Sequence, residues 1–342
     1  MPASKSNDID YVLPDERHRP RKGKKAPKAQ PLPEFDAMKI PDQPGHAKLP
    51  ASCKSAYDIF SLFFPDDLLE TLAKNTNQNA NKHRVGPRQP VAHPWKDTTA
   101  EELKAFLAVW ILVGLYPIPR MNQYWNEKND MRPTFGMIRR RISRDRWQQI
   151  DRYFHISPPD EATTTKGRTF TKLCPLDEQL RNVSRKYWKA GRNLAVDEAI
   201  QQFEGRSSET VNIPSKPTPK GFKMWVLAEA GYMLDWMFHS KGGRATDGPY
   251  DLDTFWLEPK NGGFAPTQAV VLDLLLQEDR DGKRYLEPGK HVVWTDNLFS
   301  TVQLFAALRT LGIGAAGTVR TQKTRREELL DRSNENRGKS EV

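Results

Sequence analysis

Asn193-Leu-Ala-Val-Asp-Glu-Ala-Ile200 is the stretch from which the rest of the chain can be read. Leu194, Ala195, Val196, Ala199 and Ile200 suit a short buried β-strand, and Asp197 stands among them. A carboxylate in an apolar strand loses hydration, at a cost on the order of several kcal/mol unless it is paired or bound to metal. Asp197 therefore either reaches solvent at a strand end, caps a turn, or serves a metal ion. A second stretch, His291-Val-Val-Trp-Thr-Asp-Asn-Leu-Phe-Ser300, repeats the pattern. Val292, Val293 and Trp294 form an apolar run, Asp296 follows at its end, and Phe299-Ser300-Thr301 opens an amphipathic segment. In a parallel sheet, ligands bind beyond the carboxyl ends of the strands. Two aspartates there would converge on one Mg²⁺ or Mn²⁺, hard ions that take carboxylate oxygens and serve phosphate chemistry. His291 reads as a strand-end histidine rather than a ligand.

Outward from these two stretches, the pattern predicts strands over Asn193–Phe203, Gly221–Ala230 and Tyr232–His239, the last two joined tightly through Gly231. After a Gly/Pro-rich loop to Phe264 come a helix (Ala265–Gln277), a strand (His291–Thr295), a helix (Thr301–Leu311) and a strand (Gly314–Val319). Three meandering strands followed by α/β alternation is the order of an RNase H-like domain, placed at 191–320. Upstream, 49–190 reads as helical. Asp66-Asp-Leu-Leu opens one helix with acids in its first turn. Thr99 and Glu102 form a capping box before the apolar helix Leu103–Leu115, read as core. Residues 131–152 hold Arg139-Arg140-Arg141 with Trp147 and Ile150 interleaved, a helix with one apolar and one basic face. That basic face is either a DNA-phosphate contact or a solvated surface. Leu173–Lys189 is a further helix.

Residues 1–48 are rich in Pro, Lys and charge, and read as a disordered basic tail. Its run Arg17–Lys28 is either a nuclear-localisation or DNA-backbone segment, or a solvated linker. A charged tail fills 321–342. Across the 342 residues the net charge is +10, which favours a polyanionic partner. Nine Trp and fifteen Phe signal a core despite a mean hydropathy of −0.73. Cys53 and Cys174 are the only cysteines, which excludes a disulfide scaffold and a CxxC zinc site within these residues and suits a reducing compartment. Met1–Asp10 is polar, unlike a signal peptide, and the longest apolar run, Ala105–Tyr116, is too short to span a bilayer.

Taken together, the motifs resemble the transposase domain of the piggyBac family and its domesticated derivatives, from about Ser55 to Lys323. The pieces are Thr98-Thr-Ala-Glu-Glu-Leu-Lys-Ala-Phe-Leu, Gly114, Tyr124-Trp125, Ile142-Ser-Arg-Asp-Arg-Trp and Phe154-His-Ile. They continue with Ala195-Val-Asp-Glu-Ala-Ile, Phe203-Glu-Gly-Arg, Ile213-Pro-Ser-Lys-Pro, Gly221-Phe-Lys, Thr295-Asp-Asn-Leu-Phe-Ser and Gly317-Thr-Val-Arg. The resemblance implies helices for DNA binding and dimerisation, then an RNase H-like (DDE) core for cut-and-paste transposition in the nucleus. It implies three metal-binding aspartates, of which Asp197 matches the first and Asp296 the second. Such a site activates the attacking oxygen and stabilises the leaving one in an in-line displacement at phosphate.

The family's third aspartate belongs on a helix well beyond Asp296, and many members add a Cys/His-rich zinc module. Neither is found before Val342; the late acids Glu327, Glu328 and Asp331 lack a flanking apolar face. The core is thus expected to lack its last helix, with Mg²⁺ or Mn²⁺ bound only if the site is completed. Arg206, Lys216, Lys220 and Lys223 are expected DNA contacts, or simply solvated. The prolines of Ile213-Pro-Ser-Lys216-Pro-Thr-Pro-Lys220 are expected to hold that segment extended and out of the sheet. Gly221 would allow close backbone approach. The expected function is a transposase-derived DNA-binding protein, a homodimer with no membrane span, catalytically incomplete. The alternatives are an active transposase with a truncated gene model and a poorly folded remnant.

Overall fold

The computed structural model describes residues 38–84, 94–126, 133–159, 170–173, 175–240, 254–279 and 281–318. The run Arg17–Lys28 and the acids Glu327, Glu328 and Asp331 lie outside the described residues.

The first layer is helical: α1 (Ala56–Phe63), α2 (Asp66–Arg84), α3 (Ala100–Leu115), α4 (Pro133–Arg141), α5 (Arg144–Tyr153) and α6 (Leu176–Tyr187). Ser55 and Asp58 form a reciprocal capping box on α1. Thr99 caps α3 by accepting from the Glu102 amide, but the box there is only half formed. The Glu102 carboxylate turns instead to the Thr98 hydroxyl and to Arg146, across the interface with α5. These bonds and the Arg146 charge hold Glu102 below the usual carboxylate range although burial opposes it. Leu69, Leu72, Leu103, Phe106, Trp147 and Ile150 form the helical core.

Two helical expectations change. The single helix over 131–152 is broken: Ser143 caps a new helix by accepting from the Arg146 amide, so Arg139–Arg141 end α4 while Trp147 and Ile150 belong to α5. The α3 helix is core on one side only. Leu103, Phe106 and Val109 are buried, whereas Trp110, Ile111, Leu115 and Tyr116 are exposed.

The second layer is a mixed sheet. It contains β3 (Asn193–Gln202), β4 (Thr210–Asn212), β5 (Lys220–Glu229), β6 (Tyr232–Phe238), β7 (Val292–Thr295) and β8 (Gly314–Gly317). The β8, β7 and β3 strands run parallel, and β5 pairs antiparallel with β3. On its other edge β5 carries β4 at its start and β6 at its end. The β5–β6 hairpin turns at Ala230 (φ 47°) and Gly231 (φ 86°), the two left-handed positions that a tight primed turn requires. Helices α7 (Pro266–Leu275) and α8 (Val302–Thr310) cover one face. Val271, Leu272, Leu275, Leu304 and Leu308 are buried in the same core as Leu194, Val196, Leu227 and Val293 from the strands. Helix α7 is apolar almost all round, as befits a helix buried on most sides.

The fold begins earlier than the composition suggests. Residues 38–48, read as tail, are docked: β1 (His46–Ala47) pairs with β2 (Trp188–Lys189). Glu229 anchors the junction, its carboxylate accepting from the Gly45 and Gly191 amides and the Trp188 indole. The prolines 214, 217 and 219 do lie off the sheet, in the loop between β4 and β5, but that loop is a turn and not extended, closed by the Ile213 amide on the Pro219 carbonyl (2.7 Å), and the sheet resumes at Lys220. Gly221 is required by close approach, since a Cβ there would meet the Gln201 carbonyl oxygen at 2.0 Å.

His291 is buried, with Nδ1 2.6 Å from the Gly191 carbonyl oxygen. Loss of hydration lowers its pKa, partly offset by that hydrogen bond. The unfolded chain therefore takes up this proton first. Stability from the neutral ring is complete above about pH 6.5, the ordinary histidine value. It falls as pH drops through the depressed folded value. Urea titrations between pH 7 and 5 should show this decline, and His291→Asn should flatten it; an unchanged acid limb would remove the assignment.

Candidate functional site

The register between β3 and β7 builds the site. Asn193 pairs with Val292 and Val196 with Thr295, so Asp197 and Asp296 each stand one position beyond the last registered pair. Adjacent strands lie about 4.8 Å apart and side chains alternate between faces. Asp197 thus shares a face with Asn193 and Ala195, all exposed, opposite buried Leu194 and Val196. Asp296 is likewise exposed, beyond Trp294, which is 52% exposed on the same face.

Each carboxylate is oriented by its own backbone. Asp197 Oδ1 accepts from the Glu198 amide at 2.7 Å, and Asp296 Oδ1 accepts from the Leu298 amide at 2.7 Å. The Asp296 carbonyl accepts from the Ser300 amide and hydroxyl, fixing the turn that leads to Thr301, the N-cap of α8. Neither Oδ2 has a protein partner among the described residues. Two free carboxylate oxygens on one open face fit a hard divalent ion. Among the described residues no group of three His, Cys, Asp or Glu side chains is placed to hold a metal.

The expected cations divide. Lys216 Nζ lies 3.3 Å from Glu198 Oε1, and Lys223 pairs with Glu198 Oε2 while its ammonium sits 4.0 Å over the Trp225 ring. Lys220 and Arg206 are exposed. Arg140 and Arg141 are exposed at the end of α4, whereas Arg139 is half-buried and donates to the Asn126 carbonyl. Sequence reasoning missed Glu198 as a partner. The available signal was its place next to Asp197, one step along the strand and so on the opposite face.

A helical layer followed by a mixed sheet, with Asp197 and Asp296 both exposed, defines a mixed α/β protein. The family model described as Transposase IS4 matches residues 55–339, and the chain belongs to that family, in its piggyBac-like branch. It is 26% identical over 277 residues to human PiggyBac transposable element-derived protein 2, covering 81% of this chain and 42% of that protein. It is 24% identical over 299 residues to human PiggyBac transposable element-derived protein 5, covering 86% and 52%. The chain thus spans about half the length of the curated relatives it matches. Among solved structures, a piggyBac transposase from a synaptic complex with hairpin DNA shares the fold. The TM-score is 0.59 at 20% identity, covering 84% of this chain and 56% of that one. Among the described residues no helix is long and apolar enough to cross a membrane.

Proposed function

We propose that this chain is a transposase-derived, nuclear DNA-binding protein, with an RNase H-like core that carries two of the carboxylates of a metal-dependent strand-cleavage and transfer site. The observation that carries the reading is the β3–β7 register, in which Asp197, midway along β3, and Asp296, just past the end of β7, each follow the last registered pair. The meander β3–β5–β6 followed by α7–β7–α8–β8 supports the RNase H-like assignment. Net charge of +10, with Arg206, Lys220, Arg140 and Arg141 exposed, supports a phosphate partner.

Asp197 and Asp296 would hold Mg²⁺ or Mn²⁺, which when bound would neutralise charge at a phosphate and favour a nucleophilic oxygen. Two ligands leave such an ion loosely held, so this chain by itself is proposed to bind DNA without efficient cleavage. Partnering in a homodimer is supported by the exposed apolar strip Trp110, Ile111, Leu115 and Tyr116, with Met137 of α4 also exposed.

The test is fluorescence anisotropy of the whole chain with a duplex oligonucleotide over a salt series, and sedimentation of the same preparation. Binding should weaken with a linear log–log slope of about −0.9 per phosphate neutralised. Binding absent at 50 mM salt, roughly the low end of such series, would refute the DNA reading. A monomer at all concentrations would refute the dimer. Nuclear residence is checked by imaging a tagged chain, and cytoplasmic signal alone would count against it.

A further inference from the structure

We infer that Glu198 is a positioning residue that clamps the basic β4–β5 hairpin, and that Lys220 is the hairpin's cation for a DNA phosphate on the Asp197 face. This rests on the DNA-binding reading above.

Two of the three lysines that sequence offered as phosphate contacts converge on one carboxylate. Lys216 comes from the proline loop and takes Oε1; Lys223 comes from β5 and takes Oε2. The Glu198 side chain is only 14% exposed and that of Lys223 13%. Drawing either lysine away to a phosphate would leave a largely desolvated carboxylate half unpaired, which is the costly half of breaking a buried ion pair. The loop itself is tied back to β4 by the Ile213 amide on the Pro219 carbonyl and the Lys216 amide on the Ile213 carbonyl. Glu198 therefore fastens the loop's tip to the sheet.

Alternation then sorts the charges by face. Glu198 pairs with Trp225, and Ile200 with Lys223, so Glu198, Trp225 and Lys223 share the side opposite Asp197. Asp197 pairs with Val226, and counting back by twos along β5 through Met224 and Phe222 reaches Lys220. Lys220 is exposed, shares the face of Asp197, and has no ion pair among the described residues. It stands about 20 Å along the strand from the position opposite Asp197, at about 3.4 Å per residue. A DNA strand with one phosphate at the carboxylates would thus meet Lys220 several nucleotides away, given about 3.4 Å of rise per nucleotide. Lys220 would be an anchor for the flanking strand and not part of the reacting centre.

The experiment uses the whole chain and a duplex oligonucleotide, with salt-series anisotropy and hydrogen exchange of the 213–220 amides. Lys220→Gln should reduce the salt slope by about 0.9 and leave loop exchange unchanged. Glu198→Gln and Lys216→Met should each raise loop exchange tenfold or more, on the order of a lost half-buried ion pair, and leave the slope unchanged. A rise in affinity and slope in Glu198→Gln would show that Glu198 masks phosphate contacts, and would overturn the inference. A slope reduced by Lys216→Met, or loop exchange unmoved by either variant, would overturn it too. If the chain binds no DNA, the function proposal and the Lys220 assignment fall together, while the exchange measurements still decide the clamp.

Discussion

The double variant Asp197→Asn, Asp296→Asn is expected to lose Mn²⁺ affinity by about tenfold or more, since outer partners of metal ligands alone account for such factors. Both side chains are exposed, and both keep an oxygen to accept the Glu198 or Leu298 amide after substitution. Stability should therefore stay within about 0.5 kcal/mol of the parent, as for ordinary surface changes. DNA binding without metal should be retained or strengthened, because two negative charges leave a face proposed to meet phosphate. Added Mn²⁺ should then tighten DNA binding by the parent and not by the variant. Electron paramagnetic resonance titration of free Mn²⁺, paired with a thermal melt, reads both quantities. Unchanged Mn²⁺ uptake in a folded double variant would remove these aspartates from any metal site.

Asp235→Ala is expected to destabilise the fold by about 3–5 kcal/mol, the usual cost of removing one partner from a buried ion pair. Asp235 is 1% exposed in β6 and accepts from Arg181 Nε at 2.6 Å and Arg185 Nη1 at 3.0 Å, both from α6. It also accepts from the Trp236 amide at 2.8 Å. Without the carboxylate, two guanidinium groups with 12% and 11% exposed side chains lose the acceptor they share. The Gln277 amide oxygen, 3.1 Å from Arg185, and the Tyr285 ring beneath that guanidinium are weak substitutes. Domains of ordinary stability have only about 5–15 kcal/mol in all, so this one change should move the urea midpoint far. Asp235→Asn keeps two acceptor lone pairs and should cost less than Ala. A loss below about 1 kcal/mol in Asp235→Ala would show that the pair is worth no more than an exposed one.

The positions of Asp197 and Asp296 relative to the strands were legible because alternation is a local signal. The desolvation cost that singled them out does not arise, since Asp197 and Asp296 are both exposed; what the pattern placed correctly is an acid inside one strand and another just past the end of the next. The meander and the Gly231 turn were legible for the same reason: alternation and φ > 0 chemistry act over a few residues. The clamp at Glu198 was not. Lys216 and Lys223 are cations in a proline-rich stretch whichever way they point, and only the β3–β5 register turns them toward one carboxylate. Glu229 was equally hidden. Its donors at Gly45, Trp188 and Gly191 come from distant parts of the chain, and they draw in residues whose composition reads as tail.

Sequence by itself determined the order of β3, β5, β6, α7, β7, α8 and β8 and the basic surplus, because periodicity and charge are properties of short segments and of composition. Tertiary structure alone decided that the aspartates each follow the last registered β3–β7 pair and that α3 leaves an apolar strip uncovered. It also decided that Lys216 and Lys223 are held by Glu198 while Lys220 lies on the same face of the sheet as Asp197. Each of these depends on strand register or helix packing, and a shift of one residue along a strand reverses the face of every side chain on it.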